Sequence, residues 1–203
     1  MKLVRRQIKN IAFFGFSDFP KTSVYYKEAF DVAQLLAKSG YTIVNGGGPG
    51  VMKAATMGAK SAGGKAIGVT FFPKDIPVFE GRDPTNKVDH LTVVENYLER
   101  TLKLLELGHI YVIFNGGTGT ISEFGMAWGL ARLYFGHHKP LILYGDFWQE
   151  IIFAFTKGMY IRAEERNVFK IVNKPEAVVP AILEFEKKMA SADHDHKNPV
   201  FSI

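Results

Sequence analysis

The sequence predicts one α/β domain in which a mostly parallel sheet of about seven strands lies between two layers of helices. Short, uniformly apolar runs alternate with segments of helical periodicity along the whole chain, a pattern typical of parallel strands that are covered on both faces. The chain has 203 residues, of which 47% are hydrophobic and 22% charged, so it is long enough to bury such a core. We find no linker or internal repeat and treat 1–203 as a single domain.

The strands are predicted from the apolar runs in chain order: Ile11–Phe16, Tyr41–Asn45, Lys65–Phe71, Asp89–Val94, His109–Phe114, Pro140–Gly145 and about Val168–Asn173. The first helix follows an N-cap at Thr22 or Ser23 and ends at Gly40. Its buried face is predicted to contain Ala29, Val32, Ala33 and Leu36. Further helices are expected at about 51–62, 96–108, 124–135, 147–159 and 175–189.

Composition excludes several classes of function. The chain has no cysteine, so it can form neither disulfides nor a thiolate metal site. The net charge of +5 includes four positive residues in a basic arm over 1–9, and subtracting them leaves +1 for the rest. We therefore expect no nucleic-acid partner. We also expect no metal, because His194 and His196 alternate with aspartates in a tail (190–203) that we predict to be flexible. No cofactor is expected either.

No apolar run approaches the ~20 residues of a membrane span. The short run Ile11–Phe16 lies behind the basic arm but is too short for a signal peptide, and Asp18 follows it. We expect no membrane partner and a cytoplasmic protein.

Two glycine-rich turns fall where a strand passes into a helix. The first, GGGPGVM, contains Gly46, Gly47 and Gly48, and the free amides at the start of the next helix favour an anion. A tight structural turn is the alternative. The motif is neither G-x-G-x-x-G nor a P-loop, so neither NAD nor ATP is indicated.

The second turn repeats this chemistry at another strand end. It comprises Gly116, Gly117, Thr118, Gly119 and Thr120, and the threonines add hydroxyl donors to the backbone amides. Because parallel strands end at one edge of the sheet, the two turns together could hold two parts of one ligand.

Glu123 follows the second turn and has two interpretations. Thr120 and Glu123 have the spacing of a capping box, in which the carboxylate would do no more than stabilise the helix start. If a phosphate used those amides instead, Glu123 would be free to act on the ligand.

On the helix around 96–108 we predict a buried stripe of Leu98, Leu102 and Leu105. Glu99 and Lys103 have the spacing of a surface ion pair. Arg100 has no acid three or four positions away, so it is either a solvated residue or a functional one.

The helix behind Glu123 is apolar on nearly all sides, which predicts burial on both faces. Gly125 and Gly129 would let another backbone approach, either in the core or in a homodimer. The segment Phe72–Lys87 is expected to be a mobile loop over a site, and together with Phe16 and Tyr97 it is expected to set specificity.

The run from GGGPGVM to GGKAIGV, the arginine in YLERT and the stretch NGGTGTISE resemble the LOG ("lonely guy") family, often labelled lysine decarboxylase-like. The likeness covers about Ile11–Trp148. It implies a Rossmann-like fold, a homodimer, and a phosphoribohydrolase that cleaves nucleoside 5′-monophosphates, including cytokinin nucleotides, to free base and ribose 5-phosphate.

The resemblance also implies roles for individual residues. Glu123 and Arg100 match the catalytic acid and arginine. The backbone of the second turn, extended through Ile121 and Ser122, and its threonine hydroxyls would hold the 5′-phosphate. The chain departs from the family's pattern at Asn115 in place of proline and at Thr101, which we place in the site, in place of lysine. The early Gly-Ser-Ser turn appears here as Gly15, Phe16 and Ser17.

Two further functions fit the same scaffold. Some relatives resemble carriers of the molybdenum cofactor, whose phosphate-bearing pterin would suit the glycine turns. A nucleotide sensor would bind without turnover. The retained Arg100 and Glu123 favour the enzyme, because a carrier needs no carboxylate at the ribose. The decarboxylase label has no support in the residues, since no pattern identifies a Schiff-base lysine.

Overall fold

A computed structural model describes residues 8–73, 82–134 and 138–191. The strands within these residues are Asn10–Phe14 (β1), Thr42–Asn45 (β2), Ala66–Phe71 (β3), His90–Val94 (β4), Ile110–Ile113 (β5), Leu141–Tyr144 (β6) and Phe169–Val172 (β7). The helices are Val24–Lys38 (α1), Gly50–Ser61 (α2), Tyr97–Leu107 (α3), Thr118–Leu133 (α4), Phe147–Gly158 (α5) and Val178–Ser191 (α6). Short 3₁₀ turns lie at Ala163–Arg166 and Pro175–Ala177.

The strands form one parallel sheet in the order β4-β3-β2-β1-β5-β6-β7. The predicted fold class is therefore confirmed. Ile11 of β1 pairs with Ile43 on one side and with Ile110 on the other, so the order of the strands reverses at the β1–β5 pair. In open α/β sheets ligands bind outside the carboxyl ends of the strands at such a switch point.

Helices cover both faces of the sheet. In β1, Ile11 and Phe13 point into a core with α1, α2 and α6, whereas Ala12 and Phe14 point into a second core with α3, α4 and α5. The first helix matches its prediction: Ser23 is the N-cap, its hydroxyl accepts from the Tyr25 amide, and the four predicted apolar residues are buried. Within the described residues no helix is long and apolar enough to cross a bilayer.

The predicted buried stripe of α3 is wrong for two of its three residues. Leu98 and Leu102 are exposed (65% and 51%), whereas Leu105 is buried as predicted, together with Arg100, Thr101 and Leu104. Helical spacing shows which side chains share a face but not which face turns inward, and here the inward face carries the polar residues Arg100 and Thr101.

The predicted pair of Glu99 and Lys103 is also wrong. Glu99 belongs to a capping box: Asn96 accepts from the Glu99 amide, and the Glu99 carboxylate accepts from the amide of Glu95. Lys103 pairs with Glu106 at 2.9 Å.

The prediction that α4 is buried on both sides is wrong for the isolated chain. Phe124, Ala127 and Ala131 face the sheet. On the outer face, the positions where Gly125 and Gly129 would carry a Cβ have no atom within 4 Å. That face lies in an apolar groove of about 520 Å³, lined by residues of α4, by α5 and by the segment behind it.

Candidate active site

A crevice of about 230 Å³ opens at the carboxyl ends of β1 and β5, at the switch point. Its lining comes from the end of β1, from the starts of α2, α3 and α4, and from the turn behind β2: Phe13, Phe14, Gly15, Phe16, Ser17, Gly46, Met52, Tyr97, Arg100, Gly117, Thr118, Gly119, Thr120 and Glu123. Most of the residues predicted for the site are therefore brought together.

The turn after β1 is tied to its neighbours by its backbone. The Phe16 amide donates to the Asn115 carbonyl at 3.0 Å, and the Phe16 carbonyl accepts from the Val51 amide at 3.0 Å. Gly15 packs so closely against Val51 that an added Cβ would lie 2.8 Å from that side chain. These contacts hold the ends of β1 and β5 and the start of α2 around the crevice.

The start of α4 supplies amide donors to the crevice. Its N-cap is Gly117, which has no side chain to accept from the first amides, and these amides have no partner within the helix. The positive end of the helix dipole therefore faces the crevice. Since the helix begins at Thr118, Glu123 lies well inside it and the capping-box interpretation of Thr120 and Glu123 is wrong.

Glu123 and Arg100 meet at the base of the crevice. Both are buried (7% and 5% exposed), and Arg100 Nη1 lies 3.8 Å from Glu123 Oε1. Burial raises the pKa of Glu123 from 4.5 to about 7, although the Arg100 guanidinium lowers it. Burial likewise lowers the pKa of Arg100, and Glu123 opposes that change.

The Arg100 guanidinium is held by strand ends on the other side. Nε donates to the Val69 carbonyl at 3.1 Å, and Nη2 donates to the Gly46 carbonyl at 3.2 Å and approaches Met52 Sδ at 3.5 Å. A Cβ at Gly46 would lie 1.6 Å from Nη2. The first glycine turn is therefore needed to make room for Arg100.

The rest of that first turn is used internally. The Gly47 amide donates to Asn45 Oδ1 at 2.8 Å, its carbonyl accepts from the Asp83 amide, and the Gly48 carbonyl accepts from Asn86 Nδ2. Gly47 and Gly48 are buried and do not line the crevice. Of the three predicted glycines, Gly46 reaches it.

Four further residues predicted for the site lie beside the crevice. Thr101 is fully buried and donates to the Tyr97 carbonyl at 3.1 Å. Ile121 is exposed on the apolar groove of α4, and the Ser122 hydroxyl turns toward Tyr97 and Gly119. Gly116 packs against Thr120, whose Oγ1 would lie 2.1 Å from an added Cβ.

The predicted loop Phe72–Lys87 is described only in part, because 74–81 lie outside the described residues. Arg82 stacks on Phe72 at 4.4 Å, and Asp83 pairs with Lys53 at 2.8 Å. This part of the loop packs on α2 and the first glycine turn.

Sequence reasoning missed Phe13, Phe14 and Met52. Met52 stands in the first turn of the helix behind GGGPG, so its place in the motif was the available signal. Phe13 and Phe14 had none, because both look like ordinary core residues of an apolar strand. Phe16 and Tyr97, which the sequence suggested as specificity residues without locating them, line the crevice.

The model of the SLOG cluster4 family matches residues 9–178. The chain belongs to this LOG-like family. Among curated proteins it is 32% identical to the cytokinin riboside 5′-monophosphate phosphoribohydrolase of Mycobacterium tuberculosis, over 57% of this chain and 59% of that protein. The match thus spans about three-fifths of the relative's length.

Solved structures of similar fold carry other functions. The molybdenum cofactor binding protein of Rippkaea orientalis superposes with a TM-score of 0.65 at 25% identity, covering 90% of this chain and 99% of that one. DNA processing protein A of Helicobacter pylori, described as binding single-stranded DNA, superposes at 0.58 with 19% identity, covering 87% and 81%. At 19% identity the likeness shows the fold alone.

Proposed function

We propose that this SLOG protein is a nucleoside 5′-monophosphate phosphoribohydrolase, which hydrolyses the N-glycosidic bond to free base and ribose 5-phosphate. The observation that carries the proposal is the buried pair of Glu123 and Arg100, which lies in the same crevice as the uncapped start of α4. Relatives named as phosphoribohydrolases support it.

The amides at Thr118, Gly119 and Thr120, with the threonine hydroxyls, bind the 5′-phosphate. A fixed phosphate holds the ribose over Glu123. As the N-glycosidic bond breaks, its electron pair leaves with the base and positive charge develops on the ribose. The Glu123 carboxylate stabilises that charge and takes a proton from the water that adds to C1′. A proton then passes to the departing base, which gives the free base and restores the carboxylate.

Arg100 acts through Glu123. Two of its nitrogens donate to the Val69 and Gly46 carbonyls, and the third faces the carboxylate. The guanidinium is therefore clamped where it favours the ionised form of Glu123 in a site whose burial opposes ionisation.

The ligand is a small molecule, because the crevice is a compact space of about 230 Å³ between strand ends and not an extended basic surface. N6-modified AMP of the cytokinin type is one member of this substrate class. A cytoplasmic location is part of the proposal.

The functional unit is a homodimer. The apolar groove on the outer face of α4 contains Trp128, Leu133 and Met159, of which the last two are 76% and 60% exposed. A second copy of the chain would remove this surface from water, and Gly125 and Gly129 would let its backbone approach closely.

A turnover assay tests the proposed reaction. Purine and pyrimidine 5′-monophosphates, including N6-modified AMP, are incubated with wild type, Glu123→Gln and Arg100→Ala, and free base is measured by chromatography. We expect Glu123→Gln to lower kcat ~10²–10⁴-fold. The matched control is Glu106→Gln, which neutralises an exposed acid on α3 and leaves turnover unchanged. Release of no base from any nucleotide by wild type contradicts the proposal.

A molybdenum cofactor carrier is the second candidate, favoured by the 25% identity to the Rippkaea orientalis protein over nearly the full length of both chains. In that case purified protein contains molybdenum and a fluorescent pterin, and Glu123→Gln retains both.

A further inference from the structure

Tyr97 connects α3 to the glycine turn at the start of α4. It is the first residue of α3, lines the crevice and packs edge-on against Phe71, with ring centroids 6.3 Å apart. Its hydroxyl lies 2.8 Å from Ser122 Oγ and 3.5 Å from the Gly119 carbonyl oxygen. Ser122 Oγ also lies 2.8 Å from that carbonyl.

These groups form a short directed chain. Ser122 has one hydroxyl hydrogen and donates it to the Gly119 carbonyl, so its oxygen accepts from the Tyr97 hydroxyl. Side chains from two helices, Tyr97 of α3 and Ser122 of α4, thus help to orient the Gly119 carbonyl group.

The orientation of that carbonyl matters because the Gly119 carbonyl and the Thr120 amide belong to one planar peptide unit. Fixing the oxygen fixes the direction of the Thr120 N–H, one of the amides that face the crevice. Gly119 has no Cβ to restrict its backbone, and the Tyr97 hydroxyl is the nearest atom to an added Cβ, at 3.5 Å. The peptide belongs to the first turn of α4, and the contacts from Ser122 and Tyr97 add to the helix hydrogen bonds that hold it.

We infer that Tyr97 is a positioning residue, which aims the Thr120 amide at the ligand's phosphate through Ser122 and Gly119. The inference rests on the proposed anion site at the start of α4. It gives Ser122 a task behind the turn, distinct from direct contact with the phosphate.

The test compares wild type with Tyr97→Phe, which removes only the hydroxyl. We expect roughly 3- to 10-fold weaker binding of ribose 5-phosphate in calorimetry and an equal rise in KM for the nucleotide. The kcat value changes little, because a phosphate contact is the same in the ground and transition states. A loss of helix packing alone would lower Tm without this KM effect.

Ser122 separates positioning from direct contact. Ser122→Ala is expected to match Tyr97→Phe, the double variant to be no worse than either, and Ser122→Thr, which keeps a hydroxyl, to retain wild-type KM. Tyr25→Phe on α1 is the control for loss of a tyrosine hydroxyl. If Tyr97→Phe raises KM and Ser122→Ala does not, Tyr97 contacts the ligand itself and the inference is overturned.

A measurement without ligand separates this inference from the proposed function. Order parameters of the Gly119 and Thr120 amides are compared by NMR in wild type and Tyr97→Phe, and a decrease is expected. If the order parameters of these two amides are the same in both proteins, the inference is overturned, even if the wild type hydrolyses nucleotides. A decrease in a protein that hydrolyses no nucleotide counts against the proposed function and leaves the positioning role standing.

Discussion

The Glu123 carboxyl is almost removed from water and faces the Arg100 guanidinium at 3.8 Å, which is longer than a direct hydrogen bond. Attraction at that distance offsets only part of the desolvation, so the pKa of Glu123 stays raised at about 7. A carboxyl with such a pKa can hold or release a proton near neutral pH, as general acid–base chemistry requires.

The same raised pKa predicts a dependence of stability on pH. The folded-state pKa of Glu123, about 7, lies above its usual 4.5, so the unfolded chain ionises first and this group lowers the free energy of unfolding as pH rises from about 4.5 to 7. Glu123→Gln lacks this loss. The free energy of unfolding of Glu123→Gln, relative to that of wild type, should therefore rise by about 3 kcal/mol between pH 4.5 and pH 8, as measured by urea unfolding.

Glu150→Gln on α5, an exposed acid, is the control and should show no such trend. A difference between Glu123→Gln and wild type that stays constant with pH would show that Glu123 ionises normally in the folded protein.

At residue level the sequence identified Arg100 and Glu123 but could not show their contact. Arg100 stood out because its helix has no acid three or four positions away from it, and its partner lies on another helix. Gly46 was recognised as part of a flexible turn. Gly46 also leaves room for the buried guanidinium of Arg100, which lies on α3. No local sequence pattern could show this, because the two residues are far apart in the chain.

Among the elements, the strands were predicted well and the helix faces less so. The five inner strands are buried on both sides, so a continuous apolar run marks each of them, whereas the edge strands β4 and β7 are more exposed. The faces of α3 and α4 could not be assigned, because both helices carry apolar side chains toward the core and toward the outer surface.

His109 joins the start of β1 to the start of β5. Its Nδ1 accepts from the amides of Lys9 and Asn10 at 2.9 and 3.2 Å, and Asn10 Nδ2 donates to the Leu107 carbonyl. Burial, with smaller effects of Lys139 and Lys9, lowers the pKa of His109 below 6.5. Protonated Nδ1 could no longer accept these bonds.

Because the folded-state pKa of His109 is lowered, its stabilising contribution is present above pH 6.5 and is lost as pH falls below that value. We expect His109→Ala to be about 1 kcal/mol less stable than wild type at pH 8, and this deficit to shrink by pH 5.5. Thermal unfolding across this range measures it. The control is His90→Ala, at an exposed position on β4. If His109→Ala instead becomes less stable relative to wild type as the pH falls, the pKa of His109 is raised in the folded protein and the prediction is wrong.

Across the whole molecule, exposed large apolar side chains are unevenly distributed. The layer of α3, α4 and α5 and the segment directly behind α5 carry half of those found in the described residues: Leu98, Leu102, Ile121, Leu133, Phe153, Met159 and Tyr160. Of these, Ile121, Leu133 and Met159 line the apolar groove of α4, which is the surface that the proposed homodimer would cover.

The proposed homodimer predicts a matched pair of outcomes. Gly129→Arg places a charged side chain in the open groove of α4, where a single chain has room for it, so the fold should persist while the dimer dissociates. Sedimentation velocity should show a dimer for wild type and a monomer for the variant. The control Met57→Glu, at an exposed position of α2 in the opposite layer, should stay dimeric. A wild-type monomer at micromolar concentration would contradict the assembly.

The pairing of β1 with β5 has a consequence for folding during synthesis. Ile11 and Ile110 are neighbours in the sheet, yet half of the chain lies between them. A nascent chain on the ribosome can assemble β1 to β4 early, but the crevice is incomplete until β5 and the start of α4 have emerged. A ligand that binds in the completed crevice contacts both halves of the sheet. It therefore stabilises the folded protein relative to chains in which β1 and β5 have not yet paired.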